Sequence, residues 1–221
     1  SGSGVSRFDN MVRYTSPTFA GLTVDGAYSY GNQPGDTTYK SSYNAGVRYT
    51  AGPVDLAYTH EEARLSSDVV SEKIDLVAAK YTVLPGLTVD AGYAITRNPT
   101  AQTNFYSSSS KADGKTDADT WFLGARYKVS DAVSVNAGYY RVTDQITSDN
   151  KDNVTMKSVG VVYAFSKRTE LFADYVVADR TSSAASPFTI YDRWVPDGGG
   201  SNYADSTKAQ KAFAIGVQHR F

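Results

Sequence analysis

Polarity alternates with a period of two through most of this chain, and the alternating runs end on aromatic residues at one fixed place. Val47-Arg48-Tyr49, Ala79-Lys80-Tyr81, Ala125-Arg126-Tyr127 and Val161-Val162-Tyr163 each close such a run just before a short turn, and Phe221 closes the chain. Successive side chains of a strand point to opposite faces, so this period means strands with one apolar and one polar face. A tyrosine has an apolar body and a hydroxyl that prefers the headgroup layer, so tyrosines repeated at one depth suit a membrane boundary. The pattern predicts an all-β fold, an antiparallel transmembrane β-barrel wall in which Tyr49, Tyr81, Tyr127 and Tyr163 form a girdle.

Three segments read as copies of one part: Leu22–Tyr30, Leu87–Ile95 and Val133–Tyr139. Further runs near 5–15, 42–50, 53–60, 73–83, 118–130, 154–166, 168–180 and 207–221 bring the expectation to about eleven strands, each near the roughly ten residues that a tilted strand needs to cross a bilayer. Short links are expected at Ser16–Gly21, Thr50–Pro53, Leu84–Gly86, Ser130–Ala132 and Ser166–Thr169. Long polar ones are expected at Gly31–Ser41, Glu61–Glu72, Arg97–Asp117, Asp144–Asn153 and Thr181–Ser206. Tight turns on one rim and long loops on the other is the layout of outer-membrane barrels, with the short turns toward the periplasm. The tyrosine ring then marks the periplasmic boundary. A soluble sandwich or lipocalin-like barrel shares the period-two strands, but it has no use for tyrosines at one depth.

No Pro-, Gly- or charge-rich linker divides the 221 residues, so residues 1–221 read as one barrel domain. Mean hydropathy is negative, and no apolar run is long enough for a spanning helix; a barrel tolerates both, because every second residue faces water. A net charge of −1, with basic residues spread among acidic ones, argues against nucleic acid as a partner. The absence of cysteine removes disulfides and thiolate metal sites. No secretory signal is visible, so a mature or trimmed chain is expected.

If the tyrosines and aliphatics face lipid, the opposite parity faces a lumen. Arg7, Arg13, Arg48, Lys80, Arg126, Lys128 and Arg220 fall on it, with Asp9, Asp25, Asp55, Asp90 and Asp174. Counting back from the turns sets Arg48 opposite Asp55, Lys80 opposite Asp90 and Arg13 near Asp25. The expectation is a ladder of cross-strand ion pairs low on the wall. Such pairs can simply pin the wall, at a few tenths of a kcal/mol to about 1 each. Alternating signs can also set a transverse field that sorts passing ions.

Enzyme chemistry finds little support. His60 sits at an expected strand end beside Glu61 and Glu62, His219 has outward parity, and neither has a recognisable partner constellation. Gly198–Gly200 lacks the strand-to-helix context of a phosphate cradle and reads as a loop tip. Glu61, Glu62, Asp113, Asp117, Asp144 and Asp152 have no ligand spacing and read as a solvated face. No metal and no cofactor are expected.

The segment from Arg7-Phe-Asp-Asn10 through Tyr14-Thr-Ser16-Pro17-Thr-Phe19-Ala-Gly21-Leu22 resembles the stretch after the constriction loop of general trimeric porins of Gram-negative bacteria, the beta-proteobacterial kind above all. Tyr163-Ala-Phe-Ser166-Lys167-Arg168-Thr169-Glu-Leu171 and the terminal Gly216-Val-Gln-His219-Arg220-Phe221 are similar to later parts of the same porins. The resemblance implies the later strands of a sixteen-stranded barrel, with the first third and the constriction loop outside this sequence. An odd strand number does not close the usual antiparallel barrel, so either the chain is a piece of a larger one or a smaller barrel closes itself. It further implies a homotrimer in the outer membrane of a Gram-negative bacterium, passing small hydrophilic solutes and ions by passive diffusion with a weak preference for anions. Arg7 falls where the family carries part of an arginine cluster facing the constriction loop, with Asp9 and Arg13 on the same face, and a guanidinium suits anionic groups in transit. Phe221 takes the place of the signal read by the outer-membrane assembly machinery, besides sitting in the lipid interface. An adhesin or structural anchor built on a smaller, plugged barrel is the alternative.

Overall fold

The computed structural model describes residues 10–31, 33–64, 66–98, 116–144, 153–180 and 210–221. Arg7, Asp9, Asp113, Asp152 and Gly198–Gly200 lie outside the described residues, as does the side chain of Asp144. Eleven strands follow one another: β1 (Met11–Thr15), β2 (Leu22–Ser29), β3 (Ser42–Ala51), β4 (Val54–Arg64), β5 (Val70–Leu84), β6 (Leu87–Asn98), β7 (Thr116–Lys128), β8 (Val133–Asp144), β9 (Val154–Ala164), β10 (Thr169–Arg180) and β11 (Gln210–His219). Each pairs antiparallel with its neighbours in chain order to give a single eleven-stranded sheet. Among the described residues β1 and β11 do not pair with each other, so the sheet has two edges.

The short links match the expected turns. Gly52 and Gly86 supply the positive φ angles, 53° and 90°, that a two-residue reversal requires and that side chains with a Cβ rarely adopt. At the other rim the expected Glu61–Glu72 loop is corrected. β4 runs on to Arg64 and β5 starts at Val70, leaving only Leu65–Val69 between them, with a register shift at Ala63/Arg64. The charged residues Glu61, Glu62, Glu72 and Lys73 look like loop in sequence, but here they are ladder residues, and Lys73 reaches across the strands to the Glu62 carboxylate at 3.0 Å.

Register places the expected apolar residues on one face. Tyr49 pairs with Leu22 and Leu56, Tyr81 with Val54 and Val89, Tyr127 with Leu87 and Val135, and Tyr163 with Val133 and Leu171. Their exposures are nearly equal, at 42%, 47%, 43% and 45%, as residues at equivalent positions on a continuous surface must be. The ring is not the last apolar layer before the turns: Phe19, Val83, Leu84, Val129 and Phe165 are exposed beyond it. The boundary at this end is a belt several residues deep. Four positions along the returning strand from the partners of Tyr81, Tyr127 and Tyr163 stand Tyr93, Tyr139 and Tyr175 on the same face. That offset is about 13 Å along the strand. A second tyrosine level therefore lies toward the long loops.

Above that second level the two faces exchange character. The tyrosine face now carries Glu62, Lys73, Asp75, Arg97, Asp119, Arg141, Lys157, Asp179 and Lys211. The opposite face buries Val142 (2% exposed) with Ala118 and Val154, and Tyr140 and Met156 pack against them. Apolar groups turn from the outside to the inside where hydrocarbon gives way to water. β5 has 15 residues, more than the roughly 9–11 that span a bilayer, so its end stands clear of the lipid.

Candidate functional site

The polar face of the lower sheet is the candidate site. β3, β4 and β5 carry its tightest cluster. Arg48 donates through Nε to Asp55 Oδ1 at 2.7 Å and through a terminal nitrogen to the other carboxylate oxygen, and Lys80 Nζ reaches Asp55 Oδ2 at 3.0 Å. Register sets Lys80 across from Asp90, as expected, and departs in detail from the expected pairing of Arg48. Arg48 lies across from Ala57 and Asp55 across from Thr50, so the Arg48–Asp55 contact is a diagonal. Lys80 lies between Asp55 on one side and Asp90 on the other, and its ion pair runs to Asp55. A lysine side chain reaches either neighbour, and Asp55 offers a carboxylate already fixed by the Arg48 fork. Arg13 stands 3.7 Å from Asp25, as a diagonal of the same kind.

Glycines complete this face, and they were not singled out in the sequence. Asp25 lies across from Gly46, Asp90 from Gly124, and Asp174 from Gly160. A Cβ on those glycines would sit 2.7, 2.5 and 2.1 Å from the respective carboxylate oxygen. The carboxylates therefore lie flat over bare backbone, in seats that any side chain would fill. The signal was present: Gly46, Gly124 and Gly160 each stand three positions before a girdle tyrosine, Tyr49, Tyr127 and Tyr163.

Nearer the short turns, the same face forms a recess lined by Thr88, Arg126, Lys128, Ser134 and Glu170, among others. Lys128 Nζ is 2.7 Å from Asp131 and holds that turn carboxyl below the usual carboxylate range, mainly through the hydrogen bond. Arg220 pairs with Glu170 at 3.3 Å. Arg126 meets only the Ser134 hydroxyl, at 3.4 Å, and no carboxylate among the described residues. Its guanidinium is the projecting cation of this part of the wall.

His60 is not a strand-end residue as expected. It sits within β4 on the tyrosine face, with Nδ1 2.8 Å from Asp75 and Nε2 3.3 Å from the Tyr43 hydroxyl. Tyr58 donates to the same Asp75 oxygen at 2.7 Å, and Glu62 takes Lys73 at 3.0 Å and Arg64 at 3.2 Å. The network satisfies polar groups on the outer surface above the second tyrosine level and lacks an activated nucleophile. His219 bonds Thr169 Oγ1 at 2.9 Å and stacks edge-on against Phe221, 4.8 Å between centroids. Between β2 and β3, Asp36 accepts from Ser67, from the Thr38 amide and hydroxyl at 2.8 Å, and from the Tyr39 amide at 3.1 Å. The Ser67 hydroxyl is the largest influence in holding its carboxyl at about 2.

The Gram-negative porin family model matches residues 1–183. An outer membrane porin protein of Bordetella pertussis is 24% identical over 247 residues, a match covering 97% of this chain and 58% of that protein. Among solved structures, a loop L8 deletion mutant of OmpT from Vibrio cholerae superposes with a TM-score of 0.65 at 17% identity, covering 95% of this chain and 62% of that one. In-vitro folded OmpT in its trimer form gives 0.63 at 18% identity, over 96% and 64%. The chain thus spans less than two thirds of the length of these relatives.

Proposed function

The chain belongs to the Gram-negative porin family, and from that membership we propose that it forms part of the wall of a water-filled outer-membrane pore for passive diffusion of small hydrophilic solutes and ions. One observation carries the reading: a charged wall built on Arg48, Asp55 and Lys80 backs directly onto a surface of Tyr49, Leu56 and Tyr81. A soluble sandwich covers such an apolar face with a second layer, whereas here Tyr49, Leu56 and Tyr81 stay exposed on the single sheet, as a face turned to hydrocarbon does. Residues 1–221 then make up about two thirds of a sixteen-stranded barrel, and the edges at β1 and β11 pair with further strands. The share of each relative that is covered supports this, since an open edge in lipid leaves backbone groups without partners.

Arg7, Asp9, Arg13, Arg48, Asp55, Lys80, Asp90 and Arg126 line the pore in this reading, with Arg7 at the constriction. The preference is weakly for anions, because Asp25, Asp90 and Asp174 lie flat on their glycine seats while Arg126 projects. Tyr49, Tyr81, Tyr127 and Tyr163 face the periplasmic side of the bilayer. Phe221, fully exposed beside His219, is left free to be read by the assembly machinery. Trimeric assembly is proposed from the family and from the trimer form of the Vibrio protein.

Planar-bilayer recording of the complete protein tests the function. Steady ohmic steps are expected. A bilayer that stays sealed with inserted protein would overturn the pore and favour the anchor.

A further inference from the structure

The recess on the charged face near the short turns has an apolar half for which the passage of simple ions has no use. Its volume is about 340 Å³, within the roughly 300–1,000 Å³ of small-molecule sites. One side is polar, with Arg126, Lys128 and the hydroxyls of Thr88 and Ser134. The other side is Val162 and Ala164, and Phe172 stands across from Val162 on the next strand. Register puts Val162 and Phe172, both half-buried, on the same face as Arg126 and Ser134, below the level where the two faces exchange character. In the pore reading they border water and not hydrocarbon, so covering them is favourable.

Charge in the recess is one-sided as well. Lys128 is committed to Asp131 at 2.7 Å and Arg220 to Glu170 at 3.3 Å, so each of these acids has its own cation. Arg126 meets no carboxylate among the described residues, and its terminal nitrogen reaches Ser134 at 3.4 Å. Ser134 pairs directly with Val162, and Val162 with Phe172. From the guanidinium at Ser134, Val162 is then about 5 Å and Phe172 about 10 Å further round the wall. Phe172 leans away from Val162, toward β11, with its ring tip 2.2 Å from where a Cβ on Gly216 would stand, which leaves the surface over Val162 open. We infer that the recess binds small carboxylates with a cyclic or aromatic body. The carboxylate takes the paired N–H donors of Arg126 beside Ser134, and the ring lies on Val162 with its far edge toward Phe172. Chloride or acetate reaches the same cation and leaves the apolar half uncovered. The inference rests on the proposed pore, which turns this face to passing solutes, and it makes Val162 and Phe172 the residues that discriminate among anions of equal charge.

The test uses the complete protein in planar bilayers, with sodium benzoate and sodium acetate as blockers of the chloride current. Half-block by benzoate is expected at a concentration roughly tenfold below that for acetate, the return from covering about 55 Å² of ring. Val162→Thr, which keeps the shape and adds a hydroxyl, and Phe172→Ala should each reduce that ratio by about threefold or more. The ratio is read within each variant, so a change in conductance itself cancels. The same exchange outside the recess, Val176→Thr on the inner face of β10, should leave the ratio within about twofold. Arg126→Gln should weaken benzoate and acetate alike, and neutral benzamide should block less well than benzoate. Equal half-block by benzoate and acetate, an undiminished ratio in both Val162→Thr and Phe172→Ala, or benzamide as effective as benzoate overturns the site. Saturation-transfer NMR of benzoate and acetate on the detergent-solubilised protein reads the same preference without conduction. A conducting channel with no preference would sink this inference and leave the pore standing, and a sealed bilayer with Val162-dependent benzoate binding would do the reverse.

Discussion

Replacing Asp55 by Asn tests the inner wall directly. Asp55 is the shared partner of Arg48 and Lys80, with a side chain 11% exposed against 59% and 51% for the two cations. Because both cations are solvated, each pair contributes only about 0.2–1 kcal/mol, and the loss of both costs about 0.4 to 2 kcal/mol of barrel stability. The change in ion preference is more diagnostic. At about 8 Å in water one charge is worth about 0.5 kcal/mol to a passing ion, and a Debye length of about 10 Å at 0.1 M salt cuts this to about half. Deleting the negative charge then raises the local anion concentration by about 1.5-fold and lowers that of cations equally, for a permeability ratio about twofold higher. Zero-current potentials across a salt gradient measure this. The shift should fade in 1 M salt, where the Debye length is about 3 Å. The double variant Arg48→Gln, Asp55→Asn restores the original net charge and should return the potential most of the way. A potential that does not move at low salt, with a barrel still conducting, would refute the placement of Asp55 on a water-filled lumen.

Gly160→Ala puts a methyl group where the Asp174 carboxylate lies, so it should cost about 1–3 kcal/mol and push the acid into the channel. Its signature is a zero-current potential displaced toward cations, opposite in sign to the Asp55 variant. Leu123→Arg sets a charge on the outer face between Tyr127 and the second tyrosine level and should destabilise the folded barrel by about 2–4 kcal/mol in lipid vesicles, while Val162→Arg on the inner face stays near wild type. Equal costs for the two would contradict the assignment of faces. Asp36 has a folded-state carboxyl held down at about 2, so its contribution is complete above the ordinary carboxylate range and is lost only as pH falls through that value. The NMR shift of the Thr38 amide should stay constant down to about pH 4 and change below about pH 3, and Asp36→Asn should abolish the step. A midpoint near the ordinary value of about 3.9 would show that the Ser67 and Thr38 bonds do not hold in solution.

Strand number, strand order and the assignment of faces were legible because a period of two leaves only one way to place Leu22, Val24, Tyr49 and Leu56 together. Turn chemistry made the short rim legible too, through Gly52-Pro53 and Pro85-Gly86. The other rim was not. The stretch Glu61–Glu72 is charged, and charge in sequence reads as loop, but above the bilayer a strand can carry Glu62, Lys73 and Asp75 outward while Ala63 is buried on the other side. The rule linking apolar to outside holds only within hydrocarbon, and sequence alone does not mark where hydrocarbon ends. His60 was misplaced for the same reason. Which acid Lys80 chooses was equally out of reach, since Asp55 and Asp90 flank it symmetrically and only the Arg48 fork breaks the tie. The glycine seats were readable in principle from the fixed interval to the tyrosines, but a glycine in a strand more often signals a bulge.

The reversal of the two faces near Tyr93, Tyr139 and Tyr175 has a practical corollary for protein engineering. Above it β7, β8 and β9 share a greasy lining of their own; below it each strand is a stave shaped by acyl chains. Chimeras that transplant surface epitopes should therefore be spliced inside the strands, at that level, so a donor tip arrives with Val142, Val154 and Ala118 or their equivalents still nested together. Junctions cut at the visible ends of the strands would leave that nest with the recipient, and the donor tip would arrive without it.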